Sequence, residues 1–341
     1  MSGVGTLTQP AQRIMGGLGG LALGDCMGRM VAKRSAAELD EPARYLLDRL
    51  REFDSLPQFG AQPSDDTILA VEMAGSVISR GHVDRADYEV RLRAVDPEGG
   101  KQIYLLKAAP AGLMYVAANG HTNGCVPRAL VVGWTFPPDL LGDLCYDVHK
   151  VATLTHGHPD ALFVAMMVAA VSSVAVAGYP AGAALDLLAD NRRAMARLAG
   201  CGDHVWQLFT EAMRAARDCP DIADELEERL GLSVAADSSA LTALVAALAG
   251  LPMPAGIATL VARRRPRWDL DSTAAIFGAL TGSLAPDQVR RDWIQPVETG
   301  REWDFARLAG GLAHVRLARQ DRTRSPALAA AADDQLKEPV R

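Results

Sequence analysis

Cysteine is scarce in this chain and is not arranged in pairs. The 341 residues include five cysteines, an odd number without a Cys-x-x-Cys pair: Cys26, Cys125, Cys145, Cys201 and Cys219. Disulfide-stapled secreted domains and structural zinc sites normally need paired or closely spaced cysteines. The sequence therefore predicts neither a disulfide framework nor a structural zinc site.

A basic excess, a leader segment and a β pattern are also lacking. Lys and Arg number 35 against 41 Asp and Glu, and the net charge of −6 offers no basic field to nucleic acid. Residues 1–6 lack the basic and then apolar segments of a secretory signal, so we expect a cytoplasmic protein. No stretch alternates apolar and polar residues with β-branched enrichment, which predicts that no sheet forms.

What the chain does have is a series of apolar helical patterns. With 49% hydrophobic and 22% charged residues, it has ample material for a core. We predict one all-α domain over residues 10–320, flanked by flexible tails at 1–9 and 321–341, and we expect it to be a monomer. The predicted helices after the first apolar segment cover 42–53, 66–80, 84–95, 101–118, a segment ending at Trp134, 161–178, 181–199, 203–217, 221–230, 237–250, 254–262, the segment after Ser272, 287–293 and 303–320.

Two apolar segments carry more specific expectations. The segment from Pro10 to Val31 is rich in glycine, which predicts that another backbone or a ligand comes very close to it. Asp25 is its lone acidic residue, and a buried, hydrogen-bonded structural role is favoured over a catalytic one. The helix at 161–178 is nearly long enough to span a bilayer, but it lacks an aromatic belt and flanking basic residues. We therefore predict that it is a buried core helix and that no membrane partner exists.

Acidic residues stand at the predicted starts of two apolar helices. The first group could be an ordinary acidic N-cap, which the helix dipole favours. Two such groups together instead offer the hard oxygen ligands that a pair of Mg²⁺ or Mn²⁺ ions requires. The two groups are Ser64-Asp65-Asp66-Thr67 and Asp269-Leu270-Asp271-Ser272.

A polar loop and a histidine pair complete the candidate site. The Asn-Gly pairs at Asn119 and Asn123 can form a plain turn, or they can present backbone amides to a ribose or a phosphate. Pro159 has the character of a first helical residue. His156 and His158 lack a Cys or Glu partner at a metal-site spacing, so we expect one of them to be an N-cap or a ligand contact rather than a zinc ligand.

In their order and spacing these motifs resemble the ADP-ribosylglycohydrolases, the group that contains the dinitrogenase reductase-activating glycohydrolase. The resemblance covers about residues 12–320. It rests on five stretches: Gly24-Asp25-Cys26-Met27-Gly28, Ser64-Asp65-Asp66-Thr67, Thr122-Asn123-Gly124 with Arg128, Thr155-His156-Gly157-His158-Pro159, and Asp269-Leu270-Asp271-Ser272. It implies an orthogonal multi-helix bundle whose cleft holds two divalent cations, Mg²⁺ or Mn²⁺.

The same resemblance implies roles for individual residues. The implied metal ligands are Ser64, Asp65, Asp66, Asp269, Asp271 and Ser272, and the implied substrate contacts are Thr122, Asn123, Gly124 and His156. The implied reaction is hydrolysis of a glycosidic bond at ribose C1. The substrate would be an ADP-ribosylated protein or a small ADP-ribosyl or nucleoside-type molecule.

Four positions depart from the family pattern. Ala32 stands where members often have a glutamate that positions the water, Arg267 and Trp268 replace a glycine pair, and Pro127 replaces a methionine. Without that glutamate, Asp66 or Asp271 would be the catalytic proton acceptor, unless Glu38 or Glu41 takes this role.

Two other functions compete with the divergent hydrolase. A chain that kept the acidic groups but lost the base could be an ADP-ribose-binding module, an alternative that Ala32 favours. A helical metal phosphohydrolase of the His-Asp type is disfavoured because the sequence contains no His-Asp dipeptide.

Overall fold

The structure is a computed structural model, and it describes residues 7–32, 62–95, 119–218, 222–262 and 269–324. Within these ranges no strand occurs, and the one isolated bridge joins Thr122 to Ala235. The all-α prediction is confirmed. The α-helices in these ranges are α1 (Gln9–Ala32), α2 (Asp65–Arg80), α3 (Arg85–Ala94), α4 (Val126–Trp134), α5 (Leu141–Ala152), α6 (Pro159–Val176), α7 (Ala181–Ala199), α8 (His204–Asp218), α9 (Ile222–Arg229), α10 (Leu241–Leu248), α11 (Met253–Ala262), α12 (Leu270–Leu284), α13 (Arg291–Arg301) and α14 (Phe305–Arg324).

Most predicted helices form within two or three residues of their expected ends, whereas α5 was not predicted. Its buried residues repeat every three or four positions, so the signal was present: Leu141, Leu144, Cys145, Val148, Val151 and Ala152. The predicted helices at 42–53 and 101–118 lie outside the described residues. The last helix reaches Arg324, four residues beyond its predicted end.

The predicted helix at 287–293 is wrong. A 3₁₀ turn spans Pro286–Gln288, and α13 begins only at Arg291. This helix then continues through Pro296, a residue that normally ends a helix because it lacks an N–H. Burial of Trp293, Ile294 and Val297 against the core accompanies this continuation. Similarly, the predicted helix at 237–250 begins with a π-helical turn, Ala236–Ala240, ahead of α10.

Helices α1 and α12 pack with their backbones in contact. Every fourth residue of α1 from Gly16 to Gly28 is glycine and faces α12. A Cβ on Gly20 would lie 2.0 Å from the carbonyl oxygen of Gly278, and one on Gly28 would lie 2.4 Å from Cα of Asp271. Only glycine permits such an approach, so the expectation of a close backbone is confirmed. The contact carries the end of α1 to the acidic start of α12.

Helix α6 runs through the core. It is the one described helix that is long and apolar enough to cross a membrane, and 89% of it is buried within the protein. Its polar side chains are paired: Ser172 donates to the carbonyl of Leu130 at 3.2 Å, and Ser173 donates to that of Phe136 at 2.5 Å. These contacts with neighbouring backbone agree with the prediction of a buried core helix.

Candidate metal centre

The first turn of α2 is held in place by an acid from α1. Ser64 is the N-cap, and its Oγ accepts a hydrogen bond from the backbone N–H of Asp66 at 3.2 Å. Asp25 Oδ2 accepts from Ser64 N at 2.8 Å, from Thr67 N at 3.2 Å and from Thr67 Oγ1 at 2.6 Å. Asp25 is fully buried, which agrees with the expected structural role. Its contacts fix the turn that presents Asp65 and Asp66.

The two acidic groups meet directly. Ser272, in the first turn of α12, donates a hydrogen bond from Oγ to Asp66 Oδ2 at 2.6 Å. Asp66 and Ser272 are both buried, whereas Asp65 and Asp271 are half-buried. Asp269 is the N-cap residue of α12, and its N–H donates to the carbonyl of Leu232 at 2.8 Å. The structure thus brings together all six predicted metal ligands at two adjoining helix starts.

Burial is the main cause of the unusual electrostatics of this cluster. It raises the pKa of Asp65, Asp66 and Asp269, in the last case to about 8. The neighbouring carboxylates raise the pKa of Asp66 further. Burial also raises the pKa of Asp25 to about 6, and Asp25 Oδ1 is buried without a hydrogen-bond partner among the described residues. Carboxylates that repel one another in a buried site, with hydroxyls beside them, are a donor set that fits hard divalent cations.

The Asn123 loop reaches this cluster. Asn123 Nδ2 donates to Asp269 Oδ2 at 2.8 Å and to Ser239 Oγ at 2.6 Å. The backbone N–H of Asn123 donates to the carbonyl of Val234 at 2.9 Å, which anchors the loop to the segment before the π-helical turn. Gly124 lies beside His156, whose Cε1 would be 3.3 Å from a Cβ at that position. The loop therefore connects the acidic cluster to the histidine.

His156 is buried and bonded on both ring nitrogens. Nε2 lies 2.7 Å from Thr122 Oγ1, and Nδ1 lies 2.7 Å from Thr155 Oγ1 and 3.2 Å from Arg128 Nη2. Burial, and then the charge of Arg128, lowers the pKa of His156 well below its usual range, so the ring is neutral. Because arginine only donates, Nδ1 is the acceptor, which assigns the proton to Nε2 and makes Thr122 Oγ1 its acceptor.

Arg128 is a site residue to which the sequence analysis gave no role. Its side chain is almost wholly buried on α4, where its guanidinium contacts Thr155 Oγ1 as well as His156. His158, by contrast, is an N-cap, which is one of the two roles expected for a histidine of this pair. It is the N-cap of α6, and its Nδ1 accepts from Asp160 N at 3.3 Å, with Pro159 as the first helical residue.

A model of the ADP-ribosylglycohydrolase family matches residues 6–325, nearly the whole chain. The chain belongs to the ADP-ribosylglycohydrolase family. Among solved structures, the fold is similar to one described as an ADP-ribosylglycohydrolase-related protein complex, with a TM-score of 0.60. The two are 22% identical over 91% of this chain and 100% of the other, a likeness that supports the fold alone. No curated protein matches this chain.

Membership of this ADP-ribosylglycohydrolase family supports a hydrolase with glycohydrolase activity on an ADP-ribosylated substrate. Of the positions that depart from the family pattern, Ala32 and Pro127 lie within the described residues. Ala32 is the last residue of α1, and Pro127 is buried in the first turn of α4. Arg267, Trp268, Glu38 and Glu41 lie outside the described residues.

Proposed function

We propose that this chain is a hydrolase that uses two divalent cations, Mg²⁺ or Mn²⁺, to cleave the glycosidic bond at C1 of a ribose in an ADP-ribosyl or nucleoside-type substrate. The observation that carries the proposal is the hydrogen bond from Ser272 to Asp66. It joins the starts of α2 and α12, so that oxygen donors from distant parts of the chain adjoin one another.

The ligands would come from both helix starts: Ser64, Asp65, Asp66, Asp269, Asp271 and Ser272. Bound there, a pair of ions supplies Lewis acidity to a water and to ribose hydroxyls. The chain's own contribution is to hold the oxygens in position. Asn123 restrains Asp269 through its hydrogen bond, and Asp25 restrains the turn that carries Asp65 and Asp66.

Of the two carboxylates proposed as the proton acceptor, Asp271 is the more accessible. Asp271 is half-buried, whereas Asp66 is 4% exposed and already accepts from Ser272. Asp271 is therefore the better proton acceptor of the two carboxylates proposed for that role.

The neutral His156 and Thr122 form a fixed polar pair beside Gly124, and they would contact the sugar hydroxyls or the diphosphate.

Manganese titration of chelator-treated protein tests the metal centre. Equilibrium dialysis should saturate near two ions per chain, and Asp269→Asn should lose at least one. The matched control is Asp292→Asn, which removes an exposed carboxylate of α13 that pairs with Arg290 and should keep both ions. Unchanged stoichiometry in Asp269→Asn would contradict the proposal.

A second candidate function is an ADP-ribose-binding module, which Ala32 at the family's glutamate position favours. Ala32→Glu should raise the rate of ADP-ribosyl hydrolysis about 10²–10⁴-fold, the usual contribution of one proton-transfer group. Ala32→Gln is a control of the same shape without a base. Measurable hydrolysis by the unmodified chain, abolished in Asp271→Asn, supports the enzyme. Binding of ADP-ribose without turnover by either the unmodified chain or Ala32→Glu would support the module.

A further inference from the structure

A second group of metal-binding side chains lies outside the acidic cluster. Asp160 Oδ1 is 3.2 Å from Cys201 Sγ and 3.1 Å from His204 Nε2. The potential ligand atoms of these three residues all lie within 4.8 Å of one another. Their donor types differ from those of the acidic cluster, because this group consists of one thiol sulfur, one imidazole nitrogen and one carboxylate oxygen. The group is therefore suited to a different kind of ion.

Three helix ends build this group. Asp160 is in the first turn of α6, whose N-cap is His158. Gly200, the C-cap of α7, has the left-handed backbone conformation with φ of 72°, and the next residue is Cys201. The N–H of Cys201 donates to the carbonyl of Ala196 at 2.9 Å, which fixes the turn before α8 begins at His204. The starts of α6 and α8 and the end of α7 therefore hold the three donor side chains in place.

The two separations that Asp160 Oδ1 makes lie close to those of tetrahedral zinc ligands. Zinc binds Cys, His and Asp at about 2.0–2.3 Å, so tetrahedral ligands are about 3.3–3.6 Å apart. The measured separations of 3.1 and 3.2 Å fall just below this range, so a small outward shift would admit an ion. We propose that Asp160, Cys201 and His204 form a Zn²⁺ site with its fourth position open to solvent.

The surroundings of the site support entry of an ion and a role for it. The His204 side chain is 54% exposed, which gives solvent access. Zinc binds the thiolate, so formation of the Zn–S bond at Cys201 releases the thiol proton to water. The backbone N–H of His158 donates to the carbonyl of Gly120 at 3.1 Å. An ion on Asp160 would therefore brace the segment that also carries His156.

Cobalt spectroscopy of the full, reduced chain tests the site. Mg²⁺ is added in excess first, because it occupies oxygen ligands and has little affinity for thiolate. Co²⁺ should then produce thiolate-to-cobalt charge transfer in the near ultraviolet, with intense tetrahedral bands in the visible, saturating at one equivalent. Zn²⁺ should displace the cobalt and abolish both. An all-oxygen centre cannot give the thiolate signal, so this result is independent of the proposed function.

Variants assign the ligands. Cys201→Ser should lose the charge-transfer band, and His204→Ala should lose the tetrahedral visible bands. The controls are Cys145→Ser, which changes a buried cysteine of α5, and Asp269→Asn, which changes the acidic cluster; both should keep the full spectrum. Circular dichroism confirms that each variant is folded, and Asp160→Asn replaces Cys201→Ser if that variant unfolds. A wild-type chain without the charge-transfer band, or a folded Cys201→Ser that retains it, would overturn the proposal.

Discussion

The hydroxyl of Ser272 donates to Asp66 Oδ2 across 2.6 Å, although 206 positions separate the two residues in the chain. Each residue lies in the first turn of its own helix. The contact means that the two acidic groups form one structural unit before any ion binds.

Ser272→Ala should weaken Mn²⁺ binding and lower the free energy of unfolding by about 1–3 kcal/mol, because it leaves the buried Asp66 oxygen without its donor. Ser283→Ala is a matched control on the same helix. Ser283 Oγ accepts from Trp134 Nε1 at 3.1 Å, so this variant should lose comparable stability but bind Mn²⁺ normally. Calorimetric titration and urea unfolding measure the two quantities. Equal Mn²⁺ affinities in both variants would contradict the expectation.

Asn123→Ala should lower kcat/KM about 10–100-fold, since residues that orient metal ligands typically contribute that much to affinity or activity. The physical reason is the loss of the hydrogen bond to Asp269 Oδ2. Asn191→Ala provides the comparison, because Asn191 donates to the carbonyl of Leu187 within α7 and its loss should leave kcat/KM unchanged. The measurement is hydrolysis of an ADP-ribosyl substrate at saturating Mg²⁺.

In the presence of a chelator, the contribution of Asp25 and Asp269 to the free energy of unfolding should fall as the pH rises from about 4 to 8. The buried, neutral His156 contributes in the opposite sense below its ordinary pKa of 6.5, so the net decrease is read above that value. Burial raises the pKa of Asp25 to about 6 and that of Asp269 to about 8, from 3.8. Between these values the folded chain binds more protons than the unfolded chain, so raising the pH favours unfolding. The stability lost is fully present below pH 4 and is absent above pH 8.

Urea unfolding across this pH range measures the slope. Asp269→Asn should remove the part of the decrease between pH 6 and pH 8, and addition of Mg²⁺ to the unmodified chain should restore stability at pH 8. Between pH 6.5 and pH 8, a slope of the opposite sign in the chelated protein would contradict the raised pKa of Asp269.

Gly24→Ala should lower the free energy of unfolding by about 1–3 kcal/mol, the usual cost of overpacking a core. Its Cβ would lie 2.0 Å from the carbonyl oxygen of Ala274 on α12. Gly310→Ala on α14 meets nothing within 4 Å, so it should instead stabilise the chain by up to about 1 kcal/mol through helix propensity. Urea unfolding of both variants gives the comparison.

The sequence was most informative where local chemistry decides the structure. Acidic residues before an apolar run indicated the starts of α2 and α12, because capping depends on near neighbours. The glycine repeat likewise indicated a close backbone contact, although not that α12 would be its partner. A repeat of three or four residues also marked α5, but that signal was overlooked.

Long-range contacts could not be derived in this way. The burial of Arg128 against His156 depends on how α4 meets the turn before α6, and no local pattern encodes it. Asp160 and Cys201 lie 41 positions apart, so ligand spacing along the sequence predicted no zinc at the cysteines or at His158. Such sites emerge only when helix ends are brought together by the fold.

The glycine face of α1 fixes the position of α12, which carries Asp271, relative to α1, whose Asp25 holds the first turn of α2. Side chains change rotamers and lengthen or shorten a contact, whereas two backbones in contact have almost no slack. Asp25 follows Gly24, which contacts Ala274 of α12, and Asp271 lies where Gly28 contacts α12. The spacing of α1 and α12 beside the proposed metal centre is therefore a property of main-chain packing, and we expect it to change little between ions of different radius.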